Sequence, residues 1–295
     1  MELRVLQYFL IVAREENITR AAQLLHVTQP TLSRQIAQLE EELGVKLFHR
    51  SNHHIVLTDD GMLLRRRAQE IVDLAEKTRR DFTDRTNVLS GEISVGSGET
   101  QNMSFLSEQM VSFRTAHPSV RFSVHSATAD EIKECIEKGL LDLGLLTEPV
   151  DIGKYEFLRL PQRDRWGALV RQGDNLQARK HVTPADLLSV PLLMPWREVV
   201  RNELAGWFGD LYDHLEIAAT YNLVVNAATM VRSGLGVALA FDLSTVFEDL
   251  CFVPLSPEMT SGAVLVWKKN QTLSPLVSAY LEHLKYGFRM SHDNI

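Results

Sequence analysis

Apolar residues return every three or four positions through the start of the chain, which is the spacing of one helix face. The first such stripe consists of Leu3, Leu6, Leu10 and Ala13. The stretch also has the length of the apolar segment of a signal peptide. Gln7 interrupts it and the charged residues 14–16 follow at once, so we interpret it as the amphipathic first helix of a folded domain.

Two short helices joined by a tight turn are predicted next. Residues 19–25 are rich in small and apolar side chains, and residues 26–27 break the helix. Thr28 can cap the following helix, where Pro30 is tolerated because the first turn has no intrahelical N–H bond to lose. The predicted buried stripe of this helix is Leu32, Ile36, Leu39 and Leu43, and Gly44 ends it. The pattern is that of a helix-turn-helix.

A strand and a long helix are predicted after Gly44. Residues 55–57 form a short apolar strand after a turn signal at 51–52, which indicates a small wing. Thr58 suits the N-cap of a helix that meets no proline before about residue 89. Its apolar seam is Leu64, Ala68, Ile71, Ala75, Thr78 and Phe82. Such a seam packs either on its own domain or on a second copy, and a helix of about 30 residues, about 45 Å long, favours dimerisation.

From residue 92 onward, predicted strands and helices alternate. The strands are 92–96, 120–125, 140–146, 166–171, 192–194, 216–221, 236–241 and 263–268. The helices are 103–116, 129–138, one capped at Thr183, 198–208, 222–233 and 274–289. Two such sets joined by crossovers predict two lobes with a cleft between them.

Composition and charge narrow the classes of protein. The 295 residues are 45% hydrophobic and 23% charged, as in an ordinary globular protein of two or three domains. No apolar run reaches the roughly 20 residues of a membrane span, and two cysteines without a CxxC pair suit a reducing cytoplasm. The net charge of −7 argues weakly against a general nucleic-acid binder. Residues 17–39 nevertheless contain Arg20 and Arg34 and no acid, so a negatively charged partner is expected there.

Catalytic and metal motifs are weak. The sequence GSGETQ at 96–101 lacks the third glycine of a dinucleotide loop, and Gly234-Leu235-Gly236 follows a helix instead of preceding one. Adjacent residues such as His53 and His54 would point to opposite faces of a strand, which disfavours a shared metal. We therefore expect neither an enzyme nor a cofactor. Two other functions stay open for the whole chain. One is a Rossmann-like enzyme fused to a DNA-binding head, and the other is an architectural DNA binder that needs no effector.

Residues 18–61 strongly resemble the N-terminal domain of LysR-type transcriptional regulators. The matching residues are Ala21-Ala22, Leu25, residues 28–36 (TQPTLSRQI), Leu39-Glu40, Leu43-Gly44, Leu47-Phe48, Arg50, Leu57-Thr58 and Gly61. The resemblance implies a mixed fold: a winged helix-turn-helix over 1–58, a dimerising linker helix over 59–90, and a two-lobed α/β effector domain over 91–295, similar to type 2 periplasmic binding proteins. Lobe I is expected over about 91–161 and 267–295, and lobe II over about 162–266. The sequence departs from the family at Asn17-Ile18, often Ser-Phe, and at His53-His54, where basic residues are common.

The first turns of the helix that Thr28 caps are the expected DNA-reading surface. Gln29 can bond adenine and Arg34 can bond guanine, while Pro30 and Thr31 suit apolar contacts with sugar or a thymine methyl. The expected positioning contacts are Thr28, Ser33 and Arg50, with His53 and His54 facing phosphate or solvent. Thr28 could serve only as a cap, and Arg50 could serve only to pair with nearby acids.

The resemblance implies an effector site in the cleft between the lobes. Its predicted residues are Ser97, Glu99, Thr100, Gln101, Ser126, Thr128, Thr147, Pro195 and Trp196. Hydroxyls at helix N-termini suit a carboxylate, whereas Glu99 argues the other way, so the charge of the ligand stays open. A cap or loop role is the alternative for each residue. The expected partners are double-stranded promoter DNA, a small-molecule effector and further copies of the chain, as a homodimer or homotetramer. A contact with RNA polymerase is compatible with a transcriptional regulator, and no membrane partner is expected.

Overall fold

The computed structural model describes residues 1–50, 55–83, 89–243, 247 and 249–292. The side chains of residues 50, 80–83 and 289–292 lie outside this description. The chain forms two compact units, Met1–Arg85 and Thr86–Ile295, called the N-terminal and C-terminal units below.

The N-terminal unit is a helix-turn-helix with a two-stranded wing. Its elements are α1 (Leu3–Glu15), α2 (Ile18–Leu24), α3 (Gln29–Leu43), β1 (Phe48–Arg50), β2 (Ile55–Leu57) and α4 (Asp59–Thr83). The wing strands are antiparallel, with Phe48 opposite Leu57. Thr58 accepts the Gly61 N–H at 3.0 Å, so the predicted N-cap of the long helix is confirmed.

One core holds the elements of this unit together. Phe9, Leu32, Ile36 and Leu39 are almost fully buried in it, together with Leu47 at the approach to the wing. The prediction that Leu43 completes the buried stripe of α3 is wrong, because Leu43 is 39% exposed. The buried residue at this end of α3 is Glu40, at 2% exposure.

The apolar residues of α4 lie on two faces. Ala68 and Val72 are buried in the core of their own unit. Ile71 and Leu74 are each 41% exposed. The predicted single seam is therefore divided between an inner face and an exposed aliphatic face.

The C-terminal unit contains two sheets. Its first elements are β3 (Gly91–Ser97), α5 (Asn102–Ala116), β4 (Val120–Ser126), α6 (Ala129–Glu137), β5 (Leu143–Thr147), β6 (Tyr155–Arg159), β7 (Asp164–Arg171), β8 (Leu192–Pro195), α7 (Glu198–Phe208) and β9 (Ile217–Tyr221). They are followed by α8 (Val224–Arg232), β10 (Val237–Phe241), β11 (Leu250–Pro254), β12 (Thr260–Ser261), β13 (Ala263–Lys268) and α9 (Pro275–His292). Short 3-10 helices cover Pro184–Leu187 and Gly209–His214.

Each sheet lies between helices and forms one lobe. The first has strand order β4-β3-β5-β13-β6, with α5 and α9 on one face and α6 on the other. The second has order β11-β7-β10-β8-β9, with β12 paired to β7, and packs against α7 and α8. Strands β3, β4 and β5 are parallel, as are β8, β9 and β10. These parallel strands place several strand ends and helix starts beside the cleft between the lobes.

The chain passes between the lobes at two places. The first crossing lies between β6 and β7, and the second lies between β12 and β13. Because β13 pairs with β5 and β6, the first lobe resumes near residue 263, a few residues before its predicted start at about residue 267. Strands β6 and β11 were not predicted, the predicted strand 140–146 is shortened to β5, and the helix expected after Thr183 is a single 3-10 turn.

Candidate nucleic-acid interface and effector pocket

The turn between α2 and α3 is formed by local hydrogen bonds. Asn17 caps α2 by accepting the Arg20 N–H at 3.0 Å. His26 adopts a positive φ of 54° and reverses the chain. Thr28 then caps α3 by accepting the Thr31 N–H at 3.4 Å, so the predicted capping role of Thr28 is confirmed.

The start of α3 is a polar surface open to solvent. Thr28, Gln29, Pro30 and Thr31 are exposed, and Ser33 is half-buried. Gln29 Nε2 donates to Ser33 Oγ at 2.9 Å, and the hydroxyls of Thr28 and Thr31 are 2.8 Å apart. These side chains bond one another, and each could exchange that bond for one to a partner.

Arg34 is exposed one turn further along the same face. Among the residues that the structure describes, no acid forms an ion pair with Arg34, whereas Arg20 is paired with Glu15 at 2.9 Å. Gln38, another turn beyond Arg34, is also exposed and was not predicted as a site residue. Its helical spacing from Arg34 was the available signal.

The predicted wing contacts are described only in part. Arg50 ends β1 opposite Ile55, and its side chain is not described. His53 and His54 lie outside the described residues.

Glu40 attaches the end of α3 to the segment that enters the wing. Its carboxylate accepts the N–H of Leu47 at 2.9 Å and that of Phe48 at 3.4 Å, and Lys46 Nζ lies 3.0 Å away. Burial alone would raise the pKa of Glu40, but these hydrogen bonds and the Lys46 charge together hold it below its ordinary value. Glu40 therefore fixes the wing strand relative to α3 as a charged group.

A pocket of about 100 Å³ lies in the cleft of the C-terminal unit. The first lobe supplies Gly98, Glu99, Thr128 and Thr147, while the second supplies most of the apolar wall. That wall includes Trp166, Pro195, Trp196, Val200, Tyr221, Leu223, Val224 and Phe241, with Arg197 beside it.

The predicted effector residues fall into separate groups. Glu99, Thr128, Thr147, Pro195 and Trp196 line this pocket. Ser97, Thr100 and Ser126 line an adjoining pocket, which also includes Glu99. Gln101 is among the lining residues of neither, since its side chain donates to the carbonyl of Asp242.

Thr100 and Gln101 bind a buried carboxylate at the start of α5. Asp164 accepts the Thr100 hydroxyl at 2.5 Å and the Gln101 N–H at 2.9 Å. Burial raises the pKa of Asp164 above its ordinary value, although these bonds oppose the rise. Ser97 donates to the carbonyl of Gly98 at 2.7 Å, so this hydroxyl also has a bond within its own loop.

Sequence reasoning missed much of the pocket in the second lobe. Trp166, Arg197, Tyr221 and Phe241 belong to separate strand ends and helix starts. Their approach depends on strand order, which local periodicity does not encode. The position of each at a predicted strand end or helix start was the only signal.

Metal binding and membrane insertion have no candidate in the part of the chain that the structure describes. No cluster of three or more His, Cys, Asp or Glu side chains there could hold a metal ion. Among the same residues, each helix is too short or too polar to cross a bilayer.

Comparisons with known proteins match both units. The family model "Bacterial regulatory helix-turn-helix protein, lysR family" matches residues 3–62, and "LysR substrate binding domain" matches residues 86–289. The transcriptional activator IlvY of Salmonella typhimurium is 30% identical, with 93% of this chain and 91% of IlvY covered. The Hca operon activator HcaR of Escherichia coli is 29% identical over 92% of this chain and 93% of HcaR. Full-length CbnR, solved with its target DNA, has a similar fold, with a TM-score of 0.77 at 24% identity over 97% of this chain and 99% of CbnR.

Proposed function

Because the chain belongs to the LysR family of transcriptional regulators, we propose that it reads promoter DNA with the exposed start of α3 and responds to a small molecule in the cleft. Members of this family are DNA-binding regulators with an effector-binding domain, and they are not enzymes. The finer assignment concerns which residues read DNA, what occupies the pocket and how copies assemble.

The observation that carries the DNA-reading proposal is the unpaired arginine on an acid-free surface. Arg34 is exposed and has no ion-pair partner among the described residues, and no acid occurs between positions 17 and 39. An arginine in this state can bond guanine O6 and N7 in the major groove, while Gln29 can bond adenine. Gln38 extends the same face, and Thr28, Pro30, Thr31 and Ser33 supply sugar, methyl or phosphate contacts. Arg50, His53 and His54 stay predicted wing contacts.

The test is Arg34→Ala, measured by fluorescence anisotropy on the promoter region of the chain's own gene and on a scrambled duplex. A lost bidentate base contact should cost about 1–3 kcal/mol on the promoter duplex, with little change on the scrambled one. Arg4→Ala is the matched control, since Arg4 is exposed on α1 and lies 3.5 Å from Glu2. If Arg34→Ala lowered the affinity for both duplexes equally, Arg34 would bind phosphate instead of a base.

Response to an effector requires that the ligand favour one arrangement of the lobes. A preference of about 1–3 kcal/mol would change DNA affinity by the same coupling free energy, and DNA would change ligand affinity equally. IlvY and HcaR are named activators, and activation is one of the two directions that this coupling can take. A titration in which DNA leaves ligand affinity unchanged would contradict equilibrium coupling.

Assembly is proposed to use the exposed aliphatic face of α4. Ile71 and Leu74 are half-exposed there, and pairing with a second copy would remove both from water. Two copies of α3 related by a dyad would read half-sites about 34 Å apart. A homotetramer would span two such sites, and a contact with RNA polymerase would follow promoter binding. We propose that this regulation takes place in the cytoplasm, where the DNA partner is found.

An effector-independent architectural DNA binder is the competing function. It predicts that no metabolite stabilises the C-terminal unit. A specific ligand should raise the melting temperature by mass action, so a thermal-shift screen decides between the two.

A further inference from the structure

We infer that the pocket takes a small zwitterion with an apolar body, of the α-amino acid class, and this inference rests on the proposed function of the cleft. The basis is a pair of opposite charges that the two lobes bring to one aromatic-walled pocket. Glu99 provides the negative group and Arg197 the positive group.

Arg197 brings an incompletely satisfied positive charge to the pocket. Its side chain is only 12% exposed, and its Nε lies 3.5 Å from Asp130 Oδ2 without forming a hydrogen bond. Nη2 donates to the carbonyl of Pro149 at 3.3 Å. Asp130 also pairs with Lys133 at 3.0 Å, so this carboxylate is shared between two cations. A ligand carboxylate would supply the second negative charge and an acceptor for the buried Nε–H.

The start of α7 also favours a ligand carboxylate near Arg197. Arg197 occupies the N-cap position of α7, and its side chain makes no capping hydrogen bond to that helix start. Helix N-termini attract anions because their first N–H groups lack intrahelical acceptors. The guanidinium and the helix start would therefore act on the same ligand carboxylate.

Glu99 brings the opposite charge. Its carboxylate accepts the Val224 N–H at the start of α8, which is a contact from the first lobe to the second. A carboxylate can accept several hydrogen bonds, so Glu99 can bind an ammonium group without releasing α8. Tyr221 lies close enough that, in addition to the effect of burial, the Glu99 charge raises the pKa of its hydroxyl.

Other helix starts at the cleft are already bonded to the chain's own carboxylates. Asp164 accepts the Gln101 N–H before α5, and Glu131 and Thr128 form a capping box on α6. A ligand carboxylate would have to displace these groups. The uncapped start of α7 therefore fixes the end of the pocket to which the carboxylate binds.

Aromatic side chains form much of the wall of the pocket that Glu99 and Arg197 also line. Trp166 and Phe241 pack with ring centroids 4.3 Å apart, Tyr221 is buried, and Trp196 is 61% exposed at the open side. Aromatic faces attract ammonium groups and also bury aliphatic or aromatic bodies. The pocket volume of about 100 Å³ limits that body to a small one unless the lobes separate.

The experiment measures binding to the full chain by calorimetry and tryptophan fluorescence with two matched probe sets. One set is leucine, 3-methylbutylamine and 4-methylpentanoate, and the other is phenylalanine, 2-phenylethylamine and 3-phenylpropanoate. For at least one body, the amino acid should bind at least tenfold more tightly than either half. Failure of the amino acids to bind, or equal binding by the amine or the acid alone, would overturn the inference.

Variants separate the two charged contacts. Glu99→Gln should lower the affinity for the amino acid and for the amine at least tenfold and leave the affinity for the acid unchanged. Arg197→Gln should lower the affinity for the amino acid and for the acid and leave the affinity for the amine unchanged. Glu108→Gln and Arg121→Gln change exposed charges outside the pocket lining and serve as controls. If Arg197→Gln weakened all probes equally, Arg197 would be only a support for Asp130 and Pro149, and the inference would fail. Because the probes are compared on one sample, altered folding cannot produce the crossed pattern.

DNA binding measured with each probe distinguishes the two proposals. If the acid probe bound best and still changed the affinity for promoter DNA, the zwitterion inference would fail and the proposed regulatory function would stand. A bound amino acid that leaves promoter affinity unchanged would support the ligand class and contradict regulation through the cleft.

Discussion

Replacement of Glu40 by glutamine should loosen the wing without unfolding the C-terminal unit. The carboxylate accepts the Leu47 N–H at 2.9 Å and, more weakly, the Phe48 N–H at 3.4 Å. Hydrogen bonds to a charged group contribute about 1.5–3 kcal/mol each, against about 0.5–1.5 kcal/mol for a neutral pair. Lys46 is 79% exposed, so its ion pair adds less than about 1 kcal/mol. We expect Glu40→Gln to destabilise the N-terminal unit by about 2 kcal/mol.

The assay must report on the N-terminal unit alone. The four tryptophans occupy positions 166, 196, 207 and 267, so tryptophan fluorescence follows only the C-terminal unit and should not change. Amide hydrogen exchange of peptides covering α3 and β1 should accelerate roughly thirtyfold at pH 7, which corresponds to 2 kcal/mol. Glu41→Gln removes an exposed acid from the same helix and is the control.

The pH dependence gives a second criterion. The pKa of folded Glu40 lies below its ordinary value, so its stabilisation is present above the ordinary pKa and is lost as pH falls through the folded value. Wild type and Glu40→Gln should therefore converge in stability as pH falls below the ordinary glutamate pKa of about 4.3 and through the lower pKa of folded Glu40. Identical exchange in Glu40→Gln and Glu41→Gln at pH 7 would refute the anchoring role of Glu40.

Two further predictions concern the N-terminal unit. Gly61→Ala would place a Cβ 2.1 Å from the carbonyl oxygen of Leu47, so we expect a loss of about 3 kcal/mol in the same exchange assay; unchanged protection would show that this contact is absent in solution. Leu74→Glu on the exposed face of α4 should weaken dimerisation at least tenfold in sedimentation velocity. Leu74 is 41% exposed, so pairing can bury only that part of its side chain, and each of the two copies would lose about 1 kcal/mol of apolar burial. Unchanged association, as expected for the exposed control Glu76→Gln, would exclude this face as the interface.

Local pattern predicted the first three helices of the N-terminal unit well because α1, α2 and α3 pack against their neighbours in the sequence. The stripe Leu32, Ile36 and Leu39 is buried as predicted. The pattern failed at Leu43, where periodicity assigned an apolar residue to the core. The energetic advantage of placing Glu40 there depends on N–H groups at 47 and 48, which hydrophobic spacing does not represent.

The C-terminal unit shows a different limit. Alternation of strands and helices predicted two α/β lobes, and this fold class is confirmed. Local sequence did not determine that β13 pairs with β5 and β6, because strand partners are chosen by tertiary packing. The same tertiary packing brings Arg197 and Tyr221 to the pocket. The sequence therefore predicted the negative group of the pocket, Glu99, but not the positive group, Arg197.

The two passages of the chain between the lobes run side by side. Thr260 and Ser261 of β12 pair with Arg165 and Asp164 of β7, and Trp166 Nε1 donates to Ser261 Oγ at 3.0 Å. Because β12 is hydrogen-bonded to β7, both connections leave the second lobe next to each other, beside Asp164. A hinge motion of the lobes would therefore have to bend both connections together at this place.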